Sequence, residues 1–169
     1  MKKMIFYRYL FYSIEIILLF VFGTTPDLIP EFFGSKACLL LPVAITIAVF
    51  EHELPSMFFG LVCGLLTDLG YSNSIGTFTI GLTIICFILG FCANNFITFN
   101  FFNAMLAATI VISVLISIHF LFYFVFAGYD NLGEYFVNHY ISRIIQTILC
   151  AVPLFFINLF VYSTLNDET

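Results

Sequence analysis

The amino-acid sequence reads as an all-α integral membrane protein, a single bundle of about six transmembrane helices. Of its 169 residues, 62% are hydrophobic and 9% are charged, where a soluble domain carries about 25% charged residues. No Asp, Glu, Lys or Arg occurs from Leu69 through Tyr129. Such a stretch cannot keep a water-facing surface solvated and is long enough to cross a bilayer more than once. At about 20 residues per span, the chain leaves no room for a separate soluble domain. Its chemistry is therefore expected in the bilayer, at the two surfaces, or in a partner.

The first helix is expected over about 5–22, ending at the breaker cluster Gly23, Thr24, Thr25, Pro26, with Glu15 in its middle. A second apolar run, 37–50, is short for a straight span, and Pro42 starts or kinks it. The third helix, 54–71, has Pro55 in its first turn and contains Gly60, Gly64 and Asp68. Asn73 and Ser74 mark a turn before a fourth helix, 75–93. The fifth is expected over 103–127 and the sixth over 140–162, with Arg143 and Gln146 in its first turns and Pro153 inside it. Lys2, Lys3 and Arg8 around the first span place the N-terminus in the cytoplasm by the positive-inside rule, and an even span count returns the C-terminus there. Lys36 and Arg143 fall on the outer side and oppose this orientation.

Composition also excludes functions. Five basic residues and a net charge of −5 do not make a nucleic-acid surface. The cysteines Cys38, Cys63, Cys86, Cys92 and Cys150 sit in apolar stretches without a C-x-x-C pair and read as small buried hydrophobes. The basic N-terminus resembles a signal peptide only at its start. Arg8 and Glu15 interrupt the apolar run and no small-x-small site follows, so a retained first helix is expected. His52, between Glu51 and Glu53, reads as part of a solvated turn, because adjacent loop residues do not converge on one ion. His119 reads as a packing histidine rather than a proton relay. No phosphate loop, nucleophile elbow or zinc motif occurs, so neither an enzyme nor a bound cofactor or metal is expected.

The few intramembrane charges are the informative residues. Gly60, Gly64 and Asp68 recur every fourth residue, which puts two side-chain-free positions and one carboxylate on one stripe of the third helix. A Gly-x-x-x-Gly stripe admits a close neighbouring helix. Two readings stay open for Asp68. Either the seam ends in a polar pocket near the outer surface, lined by Asp68 and the turn up to Gly76, or Asp68 only caps its own helix-turn segment. Arg143 is the cation expected to pair with Asp68, more easily than with the deeper Glu15.

The segment LPSMFFGLVCGLLTD, residues 54–68, followed by a polar turn and Ile75-Gly76, resembles the rod shape-determining protein MreD family of bacteria. That family's recognisable core is a short apolar second helix, a brief loop, Gly-x-x-x-Gly-x-x-x-Asp, and a further glycine eight residues beyond the aspartate. Gly60, Gly64, Asp68 and Gly76 keep that spacing. Chain length, the basic N-terminus, Leu39-Leu40-Leu41 and Pro153 in the last helix are similar in pattern. Glu51-His52-Glu53 and Asn166-Asp167-Glu168 depart from it, since family members often carry basic residues there.

The resemblance implies a non-catalytic inner-membrane scaffold of the cell-elongation machinery. Its partners would be an MreC-like bitopic membrane protein and, with it, the actin-like MreB, a SEDS glycosyltransferase and a class B penicillin-binding protein. It also implies a fold similar to the six-helix substrate-binding subunits of energy-coupling-factor transporters. That likeness supplies the alternative function, binding of a small vitamin-like molecule for such a transporter. Small-residue motifs on inner helix ends, expected of a coupling surface, are missing from the 94–103 loop with its Asn94, Asn95, Asn100 and Asn103.

Overall fold

The computed structural model describes residues 2–25, 37–71, 76–95, 100–122, 133 and 136–166. Among them the fold is entirely helical, with α1 Lys2–Thr24, α2 Leu40–Phe50, α3 Glu53–Tyr71, α4 Thr77–Asn95, α5 Phe101–Phe120 and α6 Ser142–Asn166. A π-helical turn, Phe136–Ile141, leads into α6. Five of these helices are long and apolar enough to cross a membrane, and α2 is the shorter apolar one.

The short helix is the centre of the bundle. Every residue from Leu40 to Val49 is buried, and α3, α4, α5, α6 and α1 all pack on it. At 1.5 Å per residue α2 is only about 16 Å long. It need not span lipid unaided, because its sides are protein. Residues 37–39, expected to be helical, are not. Non-helical backbone at membrane depth is tolerated where protein satisfies it, and the N–H of Cys38 donates to Oγ1 of Thr147 on α6 at 3.2 Å. Pro42, third in α2, occupies the first turn, where a missing N–H leaves no ladder bond unmade.

Around this centre the outer helices turn their large apolar residues outward. Phe6, Ile17 and Leu18 on α1, Phe58 and Leu69 on α3, and Leu149 and Phe160 on α6 are all at least half exposed. Lipid is the medium in which such a surface is stable.

Other boundaries shift by local causes. The fifth helix begins at Phe101, so Asn103 belongs to it rather than to the preceding loop, and its α-helical part ends at Phe120; 123–127 lie outside the described residues. Tyr140 and Ile141, expected in the sixth helix, belong to the π-helical turn. Its wider winding stacks Tyr140 on Phe136 and edges it against Phe120. Residues 51–53 are not a solvated turn. Glu51 closes α2, its N–H bonded to the carbonyl of Ile47, while its side chain is buried against Arg8. Glu53 opens α3, and only His52 is exposed.

Candidate functional site: the polar seam between α3 and α4

The glycines of the α3 stripe are explained by α4. A Cβ at Gly60 would stand 2.8 Å from Cβ of Cys86 and 2.9 Å from the carbonyl oxygen of Leu82. One at Gly64 would stand 2.5 Å from Cα of Thr79 and 2.8 Å from the carbonyl oxygen of Phe78. Only a residue without a side chain permits backbones this close. The close neighbour expected of the stripe is therefore the next helix of the same chain, which fills the seam.

Asp68 ends the stripe, and its carboxylate is taken up by the start of α4. Oδ2 accepts the N–H of Gly76 at 3.0 Å, the N–H of Thr79 at 2.9 Å and the hydroxyl of Thr79 at 2.6 Å. Oδ1 accepts the N–H of Phe78 at 3.2 Å. The first N–H groups of a helix have no partner within it and carry its positive dipole end. The ladder of α4 starts with the N–H of Ile80 bonded to the carbonyl of Gly76. One carboxylate, itself only 3% exposed, thus satisfies three N–H groups that precede that ladder. Asp68 caps a helix end, but that of α4 rather than its own.

Gly76 makes the approach possible. Its φ is +103°, and its added Cβ would meet nothing within 4 Å. Gly76→Ala is therefore expected to cost backbone strain alone, about 1–2 kcal/mol. A modest fall in the thermal unfolding midpoint of the purified protein, with the fold retained, checks it.

Further polar groups gather at the same end. The ring of Phe78 stacks on His119 with centroids 4.9 Å apart, and Nδ1 of His119 lies 3.3 Å from the hydroxyl of Tyr140. Asp68 and Arg143 both act electrostatically on His119. Arg143 also lies beside the Cys38 side chain, and its carbonyl accepts the hydroxyl of Thr147.

Glu15 is not brought to Arg143. It meets Asn158, fifteen residues further along α6, about 22 Å away by helical rise. Asn158, Thr46, Thr79 and Tyr140 were not legible as site residues. The only signal for the first three is a polar residue inside or opening an apolar run.

The opposite end of the bundle holds an ion pair. Nε of Arg8 lies 2.6 Å from Oε1 of Glu51, and Nη2 donates to Oε2 at 3.0 Å. The guanidinium also lies 5.1 Å from the centroid of the Tyr162 ring. Burial pushes the Glu51 carboxyl above the usual range, while Arg8, Tyr12 and Tyr9 pull it back down. Among the described residues no group of three or more His, Cys, Asp or Glu is placed to hold a metal ion.

No family model, no curated protein and no solved structure matches this chain.

Proposed function

We propose that the chain is a non-catalytic scaffold of the MreD family, lying in the cytoplasmic membrane with both termini inside and helping to organise lateral peptidoglycan synthesis beside an MreC-like partner. The observation that carries this reading is the spacing Gly60, Gly64, Asp68, Gly76. The geometry gives that spacing a physical sense. The four residues serve one joint, two admitting α4, one capping it, and one turning the chain so that the cap can form.

Because this joint is spent inside the chain, a partner is met by other faces, and substitutions at Gly64 or Asp68 report on folding. The discriminating experiment uses the intact chain. Removing the gene from its bacterium is expected to turn rod-shaped cells round, and the affinity-tagged protein is expected to co-purify with a bitopic, periplasmic coiled-coil protein. Unchanged cell shape together with co-purification of paired ATPases would overturn the scaffold reading in favour of the small-molecule-binding transporter subunit.

A further inference from the structure

We propose that Glu15 is a proton-binding site within the bundle, held as a neutral carboxylic acid that pairs face to face with the carboxamide of Asn158 and fixes α1 to α6. The reading is independent of the scaffold function.

Glu15 lies near the middle of α1, on the face that also buries Tyr12 and Ile16, while Ile14, Ile17 and Leu18 point outward. It is 8% exposed, and Asn158 is wholly buried. The Asn158 amide donates from Nδ2 to Oε1 of Glu15 at 3.4 Å and to Oγ1 of Thr46 at 3.0 Å. The Thr46 hydroxyl spends its own proton on the carbonyl of Val43. Two buried oxygens are left over, Oε2 of Glu15 and Oδ1 of Asn158, and among the described residues neither has a hydrogen-bond partner.

If Glu15 were a carboxylate, both leftover atoms would be acceptors, and neither could serve the other. A full negative charge would also stand at membrane depth, where an unpaired charge and an unsatisfied acceptor are each costly. The neighbouring titratable groups do not supply a cation: Tyr12 faces Glu15 along α1 and Cys63 faces it from α3. Arg8, two turns earlier on α1, is engaged by Glu51. A single proton on Oε2 removes both orphans. The O–H then donates to Oδ1 of Asn158 while Nδ2–H donates to Oε1, closing the two-bond ring that a carboxylic acid and a primary amide form. The proton comes from water and no other group changes state.

The test uses the full chain in lipid nanodiscs at neutral pH. The infrared spectrum of the wild type is expected to show a protonated-carboxyl band that shifts on isotopic labelling of glutamate and disappears in Glu15→Gln. Glutamine is the neutral isostere, so Glu15→Gln is expected to fold and to unfold at the wild-type temperature, whereas Glu15→Ala and Asn158→Leu unfold lower. Absence of a protonated-glutamate band from the wild type overturns the proposal whatever the variants do. So does a band that persists in Glu15→Gln, a Glu15→Gln protein as unstable as Glu15→Ala, or one that fails to fold. A wild-type midpoint that rises with sodium chloride while that of Glu15→Gln does not would also overturn it, in favour of a monovalent cation held by the same oxygens.

Discussion

Asp68→Ala is expected to destabilise the protein by about 3 kcal/mol, and Asp68→Asn by about 1–1.5 kcal/mol, taking charge-assisted hydrogen bonds at about 1.5–3 kcal/mol each and allowing for their non-additivity. Alanine removes the acceptor of four bonds and leaves the N–H groups of Gly76, Phe78 and Thr79 without the carboxylate that holds them. Asparagine keeps one oxygen. Placed as Oδ2 is now, that oxygen retains the Gly76 N–H, the Thr79 N–H and the Thr79 hydroxyl. Its amide nitrogen then confronts the Phe78 N–H and the charge is lost. The order wild type, Asn, Ala in detergent or nanodisc unfolding is the readout. Equal losses for Asn and Ala would show that the charge, not the count of acceptors, holds α4. A third variant, Thr79→Val, separates the hydroxyl from the backbone. It removes only one of the four bonds and is expected to cost less than either.

How much of this joint was legible follows from which contacts are local. The Gly60, Gly64, Asp68 stripe lies on one helix, so its period exposes it, and the glycine eight residues beyond the carboxylate lies within one turn of chain. The sequence could therefore single out these residues and leave open what approached them. It could not say that α4 is the neighbour, because a Gly-x-x-x-Gly stripe describes an absence of side chain and not the helix that uses it. The second apolar run misled for a related reason. A helix buried on all sides has no polar face and hence no periodicity to mark its ends, and only the Cys38 to Thr147 bond shows where its backbone leaves the helix. Glu51 shows the converse error. Flanked by His52 and Glu53, it looks like a member of a solvated turn, and the residue that buries it is Arg8, 43 positions away. The Glu15 to Asn158 contact spans 143 positions, beyond any local pattern.

Arg8→Ala is the other substitution with a large expected effect, about 3–5 kcal/mol, because breaking a buried ion pair from one side strands the remaining charge. The Glu51 side chain is 1% exposed, so water cannot replace the two bonds lost from the guanidinium. The loss should depend on pH, and its sign can be worked out. Burial already holds the Glu51 carboxyl above its ordinary range, and Arg8 is the largest influence lowering it. Without Arg8 the carboxyl rises further and is neutral in the folded protein over a wider range. Protonation removes the stranded charge, so the penalty is smallest in acid, below the ordinary glutamate range, and grows as pH rises through the raised folded value. Unfolding midpoints of wild type and Arg8→Ala measured from pH 5 to pH 8 should therefore diverge with increasing pH, and a constant gap would sink the argument. Replacing both partners tests the same physics from the other side. In Arg8→Met/Glu51→Leu no charge is left to desolvate, and the double variant is expected within about 1 kcal/mol of wild type. The ring of Tyr162 beneath the guanidinium sets the remaining difference, since stacking on a cation is lost while methionine still covers its face. If the double variant were as unstable as Arg8→Ala, the pair would be a positive source of stability for α1 rather than a charge neutralised in place.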